Sequence, residues 1–327
     1  MDNCLAGGLR ATVLGLAALA GVAAMNSPLS AAESGTSIYL LGSAGPTAAI
    51  MPPLVGLYFQ NDIYLYRGSA GANRNFSLGG NVAAKLDANV FLEMPTFVFV
   101  PTTAFLGGTL AFAASFPIGG PKITAGALLR GPRGGALGAK TEDSIFTFGD
   151  PYVSSFIGWK SGNFHWQVGA SANVPIGDYR EDALANVSFN RWMGDFFGAA
   201  TWLDPAIGLD VSGKIGLSVN GENPSTNYRS GNDFHAEWAV VQHFSKTFSA
   251  GLVGYHYQQL TGDSGAGATL GAFKGRVTAL GGTVGYDFMI GKLPISTRIK
   301  VYREFNVENR LRGTVGFLTV SMPLYVK

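Results

Sequence analysis

The chain has 327 residues, and only 13% of them are charged, about half the usual share of about 25%. Its net charge is +2, and the 23 basic and 21 acidic residues are scattered, which excludes the clustered basic face of a nucleic-acid binder. One cysteine, Cys4, excludes a disulfide framework and a cysteine-ligated metal site.

The chain opens with a leader. Arg10 precedes an apolar run, Ala11–Met25, of signal-peptide length and too short to cross a bilayer. Ser30-Ala31-Ala32 places small residues where a signal peptidase reads. Residues 1–32 are therefore expected to be a signal peptide, cleaved after Ala32. Residues 33–53, rich in Gly, Ser, Ala and Pro, show no sustained periodicity. They read as an N-terminal tail or plug segment, either loose or folded into the mouth of the domain formed by the rest of the chain.

Residues 54–327 alternate with a period of two, the mark of strands with one apolar and one polar face. Twelve are expected: Leu54–Tyr66, Ala83–Val100, Ala104–Phe116, Ile145–Trp159, Phe164–Val174, Arg191–Trp202, Ile207–Val219, Asn232–Phe244, Phe248–Leu260, Arg276–Ile290, Ile295–Phe305 and Leu311–Leu324. Short connections such as Ser161-Gly162-Asn163 and Asp204-Pro205 alternate with long ones: Arg67–Val82, Pro117–Ser144, Pro175–Asn190, Asn220–Gly231, Thr261–Gly275 and the shorter Asn306–Arg310. Lys122–Leu129 has some strand character but would break this alternation, so it is assigned to the second long loop.

No later stretch offers the about 20 continuous apolar residues of a membrane helix. A chain of this composition enters a membrane only as a closed barrel, because open sheet edges cannot be left in lipid. The expected fold is all-β: an antiparallel up-and-down transmembrane β-barrel of about 12 strands, with short periplasmic turns and long external loops. The pattern also sets the register. In Ile207–Val219, Leu209, Val211, Ile215 and Leu217 oppose Asp210, Ser212 and Lys214. A slip by one residue would place Lys214 in hydrocarbon at a cost of about 2–4 kcal/mol.

Particular stretches narrow this further. Met51-Pro52-Pro53-Leu54-Val55-Gly56-Leu57-Tyr58, Val174-Pro175-Ile176-Gly177-Asp178-Tyr179, Glu222-Asn223-Pro224-Ser225-Thr226-Asn227-Tyr228 and Gly254-Tyr255-His256-Tyr257-Gln258-Gln259-Leu260-Thr261-Gly262-Asp263 together resemble the phenol meta-pathway degradation proteins, from about residue 50 onward. The resemblance implies a bacterial outer-membrane barrel linked to aromatic catabolism. Its partners would be outer-membrane lipid, small hydrophobic or aromatic solutes, and the barrel-assembly machinery. That machinery reads a terminal aromatic in many barrels; here Tyr325 stands two residues before the end.

The candidate site is the polar parity inside the barrel: His165, Gln167, Asp210, Lys214, Glu237, His243, His256, Gln258, Asp287, Arg298 and Lys300. Both signs occur, so weak charge selectivity is expected rather than the single-charge rings of ion-selective pores. Catalysis is not expected. His243-Phe244-Ser245 could pair a nucleophile with its base, but the next strand lacks an Asn to orient the His. His235 and His243 share a face yet stand about 26 Å apart along a strand, too far for one metal. The expected function is passive diffusion of small aromatic or hydrophobic compounds through an outer-membrane channel, without a cofactor. The alternative is a non-conducting structural or adhesive barrel whose external loops bind partners.

Overall fold

The computed structural model describes residues 37–129 and 140–327. The leader and its cleavage point lie outside them, as does part of the second long loop. Among the described residues every regular element is a strand: β1 (Gly56–Leu78), β2 (Asn81–Phe105), β3 (Gly108–Ser115), β4 (Ile118–Leu129), β5 (Thr141–Ser144), β6 (Thr147–Phe148), β7 (Tyr152–Ser161), β8 (Phe164–Asn173), β9 (Met193–Asp204), β10 (Leu209–Asn220), β11 (Glu222–Asn223), β12 (Tyr228–Arg229), β13 (Asp233–His243), β14 (Phe248–Gln259), β15 (Arg276–Ile290), β16 (Leu293–Glu308) and β17 (Arg312–Val326).

All pairings are antiparallel, and β1 pairs with both β2 and β17. That double pairing closes the sheet, leaving no stave of the wall with a free edge in lipid. Several strands share a stave. β3 and β4 lie in one line along β2, with Thr96 opposite Ser115 and Glu93 opposite Ile118. Phe116 and Pro117 interrupt that line, because proline has no N–H for the ladder; the Phe116 amide still donates to the Pro95 carbonyl at 3.0 Å. β5, β6 and β7 form the neighbouring broken line, the first two against β4 and the third against β3. The barrel thus has twelve staves, with β11 and β12 as a separate ladder in a loop.

The turn expected at 101–103 is strand, with β2 running on to Phe105 and turning at Leu106-Gly107, the expected strand Ile145–Trp159 is broken between β6 and β7, and two expected loops are strand. Lys122–Leu129 is strand, not loop, and the count stays at twelve because it prolongs the third stave. Arg67–Val82 is not a loop either. β1 and β2 continue through it to a two-residue turn, Gly79-Gly80. Both turn residues have positive φ, +52° and +83°, the left-handed pair that matches strand twist in a tight hairpin and favours glycine. This hairpin and β4 rise beyond the rest of the wall. Their polar sequence disguised the strands, because the outward side of the extension faces water rather than lipid. Inside, Phe76, Leu78, Leu86 and Ile123 pack with Leu184 into a small core of their own.

The outward parity carries Leu65, Phe91, Val168, Ile215, Leu252, Leu280 and Ile299, all exposed. On a soluble protein so continuous an apolar surface would aggregate; on a closed barrel it is the lipid-facing band. One carboxylate interrupts it: Glu93, on that parity, accepts from Asn61 Nδ2 at 2.9 Å. The short turns lie at one end and the long connections at the other, as in a barrel of the bacterial outer membrane.

Candidate functional site

The interior is threaded by residues 37–51. This stretch has few side chains able to satisfy its backbone, and buried N–H and C=O groups must find partners. The wall supplies them. Asp210 Oδ2 accepts the Thr47 amide at 2.8 Å, and Glu237 Oε1 accepts the Gly42 amide at 2.5 Å. Gln167 Nε2 donates to the Ala48 carbonyl at 2.6 Å, and Thr201 Oγ1 accepts the Ala49 amide at 3.1 Å. Lys300 Nζ donates to the carbonyls of Gly42, Ser43 and Ala44 at 2.6, 2.7 and 2.7 Å. Five staves thus hold one segment by its main chain. Residues 42–49, all Gly, Ser, Ala, Pro or Thr, suit this, since a bulky residue there would compete with the wall for space. Gly42, with φ +89°, lies against the rings of Phe317 and Tyr302.

Rings complete the seat. Tyr39 stacks on His235 with centroids 3.7 Å apart and planes within 4°. His235 Nε2 lies 2.9 Å from Asp195 Oδ1, with both side chains fully buried. Lys214 Nζ sits over Tyr39 at 4.6 Å and over Phe197 at 4.1 Å, where the negative ring faces favour the cation.

Of the residues expected inside, Gln167, Asp210, Lys214, Glu237 and Lys300 converge on this segment. His165 is buried on the inward parity of β8. His243, Asp287 and Arg298 lie on inward parities nearer the short turns. Two do not face inward. His256 and Gln258 are on the outward parity of β14, with Leu252; Tyr255, Tyr257 and Gln259 take the interior. His256 Nδ1 meets Thr278 Oγ1 across the outer face at 2.9 Å. Both parities of this strand carry residues with an apolar body and a polar tip, so alternation alone does not tell in from out. The tyrosines go inside because Tyr39, Tyr302 and Phe317 are there to pack them. Thr201, Asp195 and Tyr39 were not singled out in the sequence. Thr201 and Asp195 share an inward parity that alternation could have shown, whereas Tyr39 lies in a stretch with no periodicity.

Ser245 is committed to a turn: its Oγ accepts the amides of Thr247 at 3.2 Å and Phe248 at 3.0 Å. Among the described residues no group of three His, Cys, Asp or Glu could hold a metal ion.

Above the threaded segment is a cavity of about 220 Å³. Its walls include Leu40, Tyr64, Val90, Ile123, Phe189 and Tyr255. Glu304 also lines it, with both oxygens engaged: Tyr255 OH donates at 2.8 Å, Tyr66 OH at 3.1 Å and the Gly313 amide at 2.6 Å. One side is closed by the connection from β8 to β9, which turns inward and is pinned by two carboxylates, Asp143, which accepts the Ala185 amide at 2.9 Å and the Arg180 guanidinium at 3.3 Å, and Asp150. Asp150 accepts from Ser188 Oγ at 2.7 Å, Phe189 N at 2.8 Å, Gly177 N at 2.9 Å and Asn173 Nδ2 at 3.1 Å.

Comparison with known proteins gives two findings. The profile of a family described as "Putative MetA-pathway of phenol degradation" matches residues 72–320. Among solved structures, an outer membrane channel from Pseudomonas putida F1 is similar in fold, with TM-score 0.64 and 15% identity over 85% of this chain and 99% of that one. The translocator domain of the autotransporter NalP from Neisseria meningitidis (TM-score 0.40, 13% identity, 82% of this chain and 88% of that one) and a Pseudomonas aeruginosa FadL homologue (0.36, 9%, 82% and 89%) are too distant to carry an argument. No curated protein matches in a sequence search.

Proposed function

The chain belongs to the family described as the "Putative MetA-pathway of phenol degradation", and from that premise we propose that it is an outer-membrane channel through which small aromatic or hydrophobic compounds diffuse passively. The observation that carries this reading is the cavity above the threaded segment. Apolar cavities of about 150 Å³ lined by Leu, Ile and Phe take up benzene, and about 220 Å³ accommodates one substituted ring. The aromatic lining offers such a ring edge-to-face partners. In this reading residues 37–51 are the gate. They cross the lumen below the cavity, and a solute moves on when the segment yields.

The test is uptake of phenol at low external concentration by a strain that lacks the chromosomal copy and carries either the wild-type gene or Ala88→Phe, which adds a ring to the cavity wall. Uptake several-fold lower for the variant is expected, with equal amounts of heat-modifiable barrel in the membrane. Equal uptake by deletion, wild-type and variant strains, together with silent planar bilayers, overturns the proposal in favour of a non-conducting barrel.

A further inference from the structure

One register row crosses the outer face where the apolar band ends. Arg303 on β16 is opposite Thr314 on β17; Thr314 is opposite Arg67 on β1. Arg67 is opposite Asn89 on β2, Asn89 opposite Lys122 on β4, and Lys122 opposite Ser144 on β5. All six lie on outward parities. Cations therefore stand on every second stave, about 10 Å apart, with small polar residues between them. Arg312 stands two residues above Thr314, also exposed. The opposite side of the barrel differs: the outward residues of β8 and β10 include no charged group.

Along this row runs an open groove. Arg67, Asn89, Lys122 and Thr314 form its rim. Leu65, Phe91, Gly120, Val301 and Gly316 form its floor. Gly316 leaves the wall without a side chain there, its outward face open as far as Leu65 Cβ, whereas Ile145 covers Gly120 and closes that end of the floor. The acids nearby are few. Glu142 meets Lys122 Nζ at 2.8 Å in a pair about half exposed on both sides, and such a surface pair is weak enough to exchange. Asp87 is diagonal to Arg67, across the Ser69 pair.

We propose that this groove binds a phosphorylated, acylated glycolipid of the outer leaflet, of lipid A chemistry. An acyl chain lies on the apolar floor and a phosphate is held by Arg67 and Lys122. A guanidinium gives phosphate two parallel charge-assisted bonds, and each basic residue at a membrane surface attracts anionic lipid. The site faces lipid, so it is independent of what passes through the lumen.

The purified full chain in neutral detergent is titrated with bisphosphorylated lipid A and with the same lipid stripped of both phosphates, and bound lipid is read by native mass spectrometry. The wild type should prefer the phosphorylated form by about tenfold or more. Arg67→Gln/Lys122→Gln should lose most of that ratio, and Arg67→Lys should keep most of it. If the double variant does not fold, the wild type still decides the matter. Raising salt from about 0.01 to 1 M, which shortens the screening length from about 30 to 3 Å, should collapse the preference. Equal binding of the two lipids, a ratio unchanged in the folded double variant, or a ratio indifferent to salt overturns the proposal. So does lower phenol uptake in a double variant that keeps its lipid preference, which would make the groove a solute exit.

Discussion

The ammonium of Lys300 reaches the carbonyl oxygen of Gly42 at 2.6 Å, across 258 positions of sequence. The same nitrogen takes the carbonyls of Ser43 and Ala44, so one wall residue caps three consecutive peptides of the threaded segment. Hydrogen bonds to a charged group contribute about 1.5–3 kcal/mol each, which makes this the strongest single tie on the segment. Lys300→Met keeps the length of the side chain and removes the donor. The expected result is a larger mean single-channel conductance in planar bilayers than the wild type. A trace identical to wild type would show that residues 37–51 do not limit flow.

The converse experiment locks the segment. The Ala49 amide lies 3.1 Å from Thr201 Oγ1, so the two residues touch, and a disulfide between cysteines placed there forms where their Cβ atoms come within about 4.5 Å. Cys4 is the sole native cysteine, and Cys4→Ser removes it from the background. Ala49→Cys/Thr201→Cys should conduct less when oxidised and recover in dithiothreitol. Conductance that does not respond to the reductant, with the bond confirmed by mass spectrometry, would place the flow elsewhere.

Asp150 holds the inward connection between β8 and β9 through four donors. Removing the acceptor leaves those donors buried, at about 1–3 kcal/mol for each one left without a partner. Asp150→Ala is expected to free the connection without unfolding the barrel. Trypsin added to intact cells should then cut after Arg180 several-fold faster than in the wild type, while heat-modifiable mobility is retained. Cutting at the wild-type rate would mean that the Asp143 contacts with Arg180 and Ala185, together with the Leu184 packing, hold the connection without Asp150.

His256 and Gln258 face outward, whereas Asp210 holds the Thr47 amide inside. His256→Leu/Gln258→Leu should leave ion selectivity and conductance as they are, since apolar residues suit the lipid-facing parity. Asp210→Asn should shift the reversal potential toward anions. A double variant that changes selectivity would return those two side chains to the lumen.

Much of the fold was legible because a barrel repeats one physical constraint twelve times. Each stave must show lipid one parity and the interior the other, so Val211 and Ile215 declared their faces without knowledge of any neighbour. The constraint fails where it stops applying. Above the membrane both faces of β1 and β2 meet water or a local core, and the extension from Arg67 to Val82 looked like loop. On β14 the tyrosines and His256 are amphipathic alike, and their directions follow from packing against Tyr39, not from polarity.

Alternation and loop length are local properties, so the class, the number of staves and the register of most could be read from the chain alone. What fills the interior is settled by contacts between distant parts of the chain. Glu33–Pro53 has no periodicity, and the path of its described part, residues 37–51, depends on partners more than a hundred residues away: Asp210, Glu237 and Lys300. Those side chains read as a mixed-charge lining, with the lumen left as either a narrow pore or a plugged one. They are instead the hydrogen-bonding complement of one buried backbone, for which both an acceptor and a donor are needed at every turn of its path.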